Sequence, residues 1–220
     1  MSTGQFADRA AAGRELAALL GSYRGRDDVL VLGLPRGGVP VAFEVAQALH
    51  APLDVMIVRK LGAPGQPELA IGAVASGGET VINDDALAWY RQPKIIEQVG
   101  AVAHLELERR ERAYRGGRPP LVATNRVVIL VDDGAATGAS MLAAVRAASR
   151  IGAAKVVVAL PVASNDAYRS LRNEADEVVC VRIPSSFYAV GQWYEEFAQT
   201  TDMEVTELLA RADRLSRGPT

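Results

Sequence analysis

The stretch Val127 to Met141, VVILVDDGAATGASM, constrains this chain more than any other. Its opening apolar run, in which Val127, Val128, Ile129 and Val131 are β-branched, predicts a strand buried on both faces, as in the interior of a parallel sheet. Asp132 and Asp133 fall at the carboxyl end of that strand. The loop Gly134 to Gly138 holds only small or hydroxylated residues, and Met141, Leu142, Val145 and Ala148 then follow at helical spacing until Gly152. A strand–loop–helix unit of this kind can fold its backbone N–H groups around a phosphate, with the helix N-terminus and the hydroxyls of Thr137 and Ser140 as further donors. Carboxylates repel phosphate. They suit the hydroxyls of a sugar carried by that phosphate, reached directly or through a divalent cation bound by oxygen ligands.

Four or more apolar residues, two acids, and a small-residue loop containing Thr137-Gly138 and ending at Ser140 resemble the motif that binds 5-phosphoribosyl 1-diphosphate (PRPP) in type I phosphoribosyltransferases. An ordinary βα turn leaves two adjacent acids at the end of a buried strand without a reason.

Composition narrows the alternatives. A chain of 220 residues can bury a substantial core, and a 49% hydrophobic content excludes general disorder. The net charge of −2 disfavours a duplex nucleic-acid partner, whose binding is driven by clustered cations. The lone Cys180 sits in an apolar run, which points to core packing and to a reducing compartment. With no apolar stretch of membrane-spanning length and no signal-peptide pattern at MSTGQFADR, the expectation is a cytoplasmic protein with no membrane partner.

In chain order, Phe6 to Leu20 predicts an amphipathic helix, and Val29 to Leu34 a strand that ends at Pro35-Arg36-Gly37-Gly38. Gly37 and Gly38 permit close approach of backbone to a ligand, and Arg36 can place paired hydrogen bonds on a diphosphate. Gly33 and Gly38 have Walker A spacing, but Val39-Pro40 stands where Lys-Ser/Thr is required, so an ATPase loop is rejected. Leu53 to Val58 predicts the next strand, closing with Arg59-Lys60, a charged pair placed at a carboxyl strand end where open α/β sheets bind ligands. Leu61 to Leu69 is rich in Gly and Pro and reads as a mobile loop, while Ala70–Ala75 and Thr80–Ile82 read as a hairpin around Ser76-Gly77-Gly78-Glu79.

Asp84 to Arg115 reads as helical, its longer helix starting at Pro93, with Ile96, Val99, Ala103, Leu107 and Tyr114 on one face. Glu106/Arg110, Glu108/Arg112 and Glu111/Arg115 are spaced for i,i+4 pairing. Whether this helix is a solvated face, a lid or a homodimer contact stays open. Lys155–Leu160 and Glu177–Arg182 complete five strand candidates in βα order, joined by a helix around Asp166–Asn173, which right-handed crossovers assemble into a doubly wound parallel sheet. The segment Ser185 to Phe197 gathers Phe187, Tyr188, Trp193, Tyr194 and Phe197, as a packed cap or as a stacking surface for a planar base. A helix from Glu204 to Leu215 closes the sequence, and His50 and His104 read as surface residues.

The resemblance implies an α/β fold with the five-stranded type I phosphoribosyltransferase core at about residues 29–182, a helical and hairpin insertion at 61–125, and a C-terminal hood at 183–217, all within one domain spanning 1–220. It implies Mg²⁺-dependent displacement of pyrophosphate from PRPP by a nucleobase or related acceptor, in nucleotide metabolism. Asp132 and Asp133 then hold the ribose hydroxyls and are the candidates for contact with the metal. Gly134, Ala135, Ala136, Thr137, Gly138, Ala139 and Ser140 cradle the 5′-phosphate, and Arg36, Gly37 and Gly38 the pyrophosphate. Arg59 and Lys60 neutralise leaving charge, the 61–69 segment is the flexible catalytic loop, and Phe187, Tyr188 and Trp193 face the base. Two departures separate this chain from known subgroups: Ala136 replaces the Asp that serves 6-oxopurine enzymes as a base, and the 61–69 segment lacks the Lys and His of orotate enzymes. The acceptor is left open, and the alternative implied by the family is a PRPP-sensing regulatory protein.

Overall fold

The computed structural model describes residues 4–63, 66–82 and 93–216. Helix α1 (Arg9–Leu19) leads into β1 (Val29–Gly33), α2 (Gly38–Leu49) and β2 (Leu53–Val55). Three further strands follow, β3 (Val58–Ala63), β4 (Gln66–Ala75) and β5 (Glu79–Ile82), then the long α3 (Pro93–Arg115). The second half runs β6 (Val127–Val131), α4 (Ala139–Arg150), β7 (Lys155–Val162), α5 (Asn165–Arg172), β8 (Glu177–Arg182) and α6 (Asp202–Ser216).

The five strands expected of the core form one parallel sheet in the order β2-β1-β6-β7-β8. Its central strands are buried on both faces, which is why they read as unbroken apolar runs. Alternation assigns the faces. Val29, Val31, Val127, Ile129, Val131, Val157 and Ala159 pack into the cluster that contains residues of α1, α2 and α6. Leu30, Leu32, Val128, Leu130, Val156, Val158 and Leu160 pack into the opposite cluster with Met141, Val145 and Leu171 of α4 and α5. Helices therefore cover both faces of the sheet, as the doubly wound reading required.

The insertion corrects one expectation. Residues 61–69, read as a loop, belong largely to strands: β3 pairs antiparallel with β4 through Val58↔Ala75 to Ala63↔Gln66, with a register irregularity at Leu61 to Ala63. Pairing across the ribbon overrides the local Gly and Pro signal. The hairpin of β4 and β5 is present, Gly77 and Gly78 supplying positive φ at its turn. Pro64-Gly65 and the expected helical start from Asp84 to Gln92 lie outside the described residues.

Helix α3 buries Leu107 and Tyr114 against the same cluster as α2. Only part of its expected ion pairing forms: Glu106 takes Arg110 at 3.1 Å, and Glu108 lies 3.7 Å from Arg112. Arg115 turns instead to Asp54 of β2, at 3.0 Å, and Arg118 joins Asp54 to Asp213 of α6. A partly desolvated aspartate flanked by two guanidinia binds more strongly than an exposed i,i−4 glutamate, so tertiary geometry wins over helical spacing. His104, expected at the surface, is half-buried with Nε2 3.0 Å from Thr80 Oγ1. Cys180 is half-buried, its thiol pushed up to about 11 by burial. Among the described residues, no helix is long and apolar enough to cross a membrane.

Candidate active site

Gly33 and Val131 are paired at the carboxyl edge of the sheet, so the loops that leave β1 and β6 start side by side. Leu34 N–H donates to the Val131 carbonyl at 2.8 Å and fixes the first of these loops onto the second. The peptide between Pro35 and Arg36 is cis. A Cβ on Gly37 would fall 2.0 Å from Asp133 Oδ2, and one on Gly38 would fall 2.6 Å from the Val131 carbonyl and 2.8 Å from Asp132 Cα. Glycine at both positions lets the loop lie directly against the acid pair.

Asp133 is held from three sides. Its backbone N–H donates to Asp132 Oδ1 at 2.9 Å, its carbonyl accepts from Tyr194 Oη at 2.5 Å, and its Oδ2 accepts from Arg9 Nε at 2.8 Å. Arg9 is itself fixed, its Cζ lying 3.9 Å from the centroid of the Phe197 ring and its Nη1 donating to the Ala198 carbonyl at 2.7 Å. Burial raises the pKa of both acids. The charge of Asp133 raises Asp132 further, whereas Arg9 opposes the rise at Asp133. Burial likewise holds the Tyr194 phenol in its neutral, donating form.

The loop after the acids is tied to β7 by a bridge between Ala135 and Ala163. Ser164 caps α5 by accepting from Ala167 N–H at 3.0 Å, while its own hydroxyl donates to the Ala136 carbonyl at 2.6 Å. Gly138, at φ 73°, begins α4, and no side chain of Gly138 can cap it. Thr137 Oγ1 accepts from Ala139 N–H at 3.4 Å, and Ala136, Thr137, Ala139 and Ser140 are exposed. The first turn of α4 thus presents amide donors, the Ser140 hydroxyl and a positive dipole end to an entering anion. No carboxylate stands at position 136.

The hood packs on this loop, since a Cβ on Gly134 would fall 2.7 Å from Val190 Cγ1. Phe187 and Trp193 stack on each other with centroids 6.4 Å apart, while Tyr188 is 87% exposed and takes no part in that stack. Trp193 Nε1 is buried without a partner among the described residues.

Arg36 lies 3.7 Å from Asp202 at the start of α6. Arg59 and Lys60, expected on a loop, lie within β3 opposite Val74 and Ala73. Adjacent strand residues point to opposite faces, so the two cations do not form a joint charge at one spot. Arg9 and Asp202 were not legible as site residues, because a single charge near a helix end carries no periodic signature, and Tyr194, within the aromatic segment read as a cap or stacking surface, donates its hydroxyl to the Asp133 backbone.

Magnesium takes six oxygen ligands and keeps several waters. Among the described residues no group of three or more His, Cys, Asp or Glu side chains could hold a metal. Two aspartates, one committed to Arg9, fit a magnesium ion that arrives on a polyphosphate, and do not fit one caged by protein alone.

The chain belongs to the phosphoribosyl transferase domain family, whose pattern it matches over residues 2–197, a family of enzymes of the glycosyltransferase type. A relative from Mycobacterium tuberculosis, provisionally named a phosphoribosyl transferase, is 49% identical over 210 residues, covering 95% of this chain and 47% of the relative. The chain spans about half the length of the curated relatives it matches. The crystal structure of TT1426 from Thermus thermophilus superposes with a TM-score of 0.85 at 46% identity, covering 94% of this chain and 98% of that one. A protein from Neisseria gonorrhoeae, solved with bound ppGpp, shares the fold at a TM-score of 0.50 and 13% identity over 96% of this chain and 95% of that one.

Proposed function

We propose that residues 1–220 form one phosphoribosyltransferase domain that binds PRPP with magnesium and transfers the phosphoribosyl group to a nucleobase or related acceptor in nucleotide metabolism. The observation that carries this reading is the close approach of Gly37 to the Asp133 carboxylate, which joins the acid pair to the Arg36–Gly38 loop beside an open helix N-terminus.

In this reading the first turn of α4, with Thr137 and Ser140, receives the 5′-phosphate. Asp132 and Asp133 accept hydrogen bonds from the ribose hydroxyls, and Arg9 keeps Asp133 oriented. The acceptor attacks C1′ as the bond from C1′ to the pyrophosphate oxygen breaks. Positive charge develops on the ring, and the buried carboxylates below it stabilise that charge in a site screened from water. When bound, magnesium neutralises diphosphate charge. The backbone at Arg36 to Gly38 orients the leaving group, and most of the rate enhancement comes from positioning.

Ala136 favours a second reading, a PRPP-sensing protein with little turnover, because a side chain that could take a proton from the acceptor is missing at that position. One experiment separates the two. PRPP with Mg²⁺ should raise Tm, by mass action worth about 2.7 kcal/mol at 100 times Kd. Pyrophosphate release is then measured with a panel of purine, pyrimidine and pyridine bases. Release that depends on one base supports the enzyme, and PRPP binding with no release across the panel supports the sensor. An unchanged Tm at millimolar PRPP and Mg²⁺ overturns both.

A further inference from the structure

The hood is held by a segment from the far end of the chain. Phe6 N–H donates to the Trp193 carbonyl at 2.8 Å, and the Phe6 and Ala7 carbonyls accept from the N–H groups of Glu195 and Glu196 at 2.8 and 2.9 Å. Phe6 and Tyr194 thus form a parallel bridge, and the Phe6 ring, 1% exposed, lies under the Arg182 guanidinium with Cζ 3.5 Å from its centroid. Asp8 then accepts from Ala11 N–H at 2.6 Å and caps α1, so these extended residues run directly into the helix whose first residue is Arg9. Arg9 sets its guanidinium face on the Phe197 ring, Nη1 on the Ala198 carbonyl and Nε on Asp133. From the other side Tyr194 Oη donates to the Asp133 carbonyl. Hood and acid pair are therefore joined both through Arg9 and through Tyr194, and both links meet at Asp133.

We propose that residues 5–9 act as a strap that makes the hood answer to the acid pair, with Arg9 and Tyr194 as the positioning residues that join them. Sugar hydroxyls that donate to Asp133 restrict its side chain to one rotamer. Arg9, with its Nε on that carboxylate, is then restricted as well, and with it the Phe197 ring and the Ala198 carbonyl. A planar guanidinium suits this task, because it reaches carboxylate and carbonyl with separate N–H groups while its face rests on the ring, whereas an ammonium is a single point of charge. The helical turn Val190–Trp193 lies between these contacts and runs into the residues pinned by Phe6 and Ala7, so fixing Arg9 leaves it no free end. The face that the hood offers to an acceptor is thus completed when the sugar is in place, and a segment remote from the reacting atoms helps to decide which acceptor fits. The inference rests on the proposed function in taking the hood as the acceptor side and PRPP as the source of the sugar.

Hydrogen exchange of the full chain, read by mass spectrometry over residues 187–198 with strands β6 and β7 as the internal control, tests it. PRPP with Mg²⁺, and ribose 5-phosphate, which carries the hydroxyls without the diphosphate, should each slow exchange in the hood at least about ten-fold, the worth of one buried hydrogen bond in the opening equilibrium. In Arg9→Lys and in Tyr194→Phe, at concentrations that saturate the variant, most of that slowing should disappear although ligand is bound. Tyr194→Phe keeps the ring, so it serves even where Arg9→Lys folds poorly. A second measurement needs no ligand: Asp133→Asn, which keeps the size of the side chain and removes the charge that holds Arg9, should speed exchange in the hood and not in the strands. Slowing that is equal in the native chain and both variants overturns the strap, as does bound PRPP that leaves the hood unchanged. A chain that binds neither PRPP nor ribose 5-phosphate overturns the proposed reaction, and Asp133→Asn then decides the strap, which stands if the hood alone loosens and falls if it does not.

Discussion

Arg9 Nε lies 2.8 Å from Asp133 Oδ2, although the two residues are 124 positions apart in the chain. Their side chains are only 12% and 15% exposed, so this ion pair is largely shielded from water. Breaking one partner of such a pair strands the other. Arg9→Met should therefore destabilise the fold by about 3 kcal/mol, read from denaturant unfolding, and weaken PRPP binding. A variant with native stability would mean that the pair contributes nothing to the fold.

The acid pair carries a pH signature. Both carboxyls have pKa values raised in the native state, Asp132 by burial and then by the charge of Asp133, Asp133 by burial against the pull of Arg9. A native carboxyl that holds its proton more tightly than the unfolded chain makes charging costly to the fold. The cost is fully present above the native pKa, shrinks as pH falls through it, and vanishes below the ordinary carboxylate range. Asp132→Asn removes that cost, so its Tm should exceed that of the native chain at neutral pH, and the gap should close on acidification. The same variant should bind PRPP more weakly, which separates a functional acid from a structural one.

Gly37→Ala and Gly38→Ala should fail differently. The new methyl at position 37 meets the Asp133 carboxylate and pushes its Oδ2 off Arg9, so ligand affinity should drop and the stability carried by that ion pair should be lost with it. At position 38 it meets the Val131 carbonyl and Asp132 Cα, both backbone. That variant should lose about 1–3 kcal/mol of stability, the usual cost of overpacking, with melting curves as the check.

Asp54→Ala should detach the insertion from the sheet edge. It leaves Arg115 and Arg118, 9% and 18% exposed, without their shared carboxylate. A loss of about 3 kcal/mol is expected, together with faster hydrogen exchange in α3 than in the parallel sheet.

The sequence is most readable where one local signal serves one purpose. Val127 to Val131 had to be a strand buried on both faces, and the five parallel strands follow from runs of that kind. Glycines at 37 and 38 stood out only in register with the acid pair, since a Gly-Gly turn is commonly just a turn, and what they supply is room for close approach. Residues whose role depends on distant partners were opaque. Arg115 has a glutamate four residues earlier, yet Asp54, 61 positions away, holds it. Leu61 and Gly62 carry a loop-like composition, and only pairing with Gly72 and Ala70 makes them strand. Arg9 and Asp202 join the site because helices α1 and α6 begin beside it, a matter of packing that no spacing rule encodes.

The register of β1 against β6 also governs how the site comes into being. Val29 pairs with Val127, so about a hundred residues, insertion included, must be looped out before the two strands can meet. Gly37 and Asp133 are then brought together by the same docking event that closes the centre of the sheet. A chain that has folded only its first βα unit owns half of a ligand pocket and no affinity to guide the rest. Ligand should thus capture this protein only after the β1–β6 pairing has formed, and its presence should slow unfolding far more than it speeds folding.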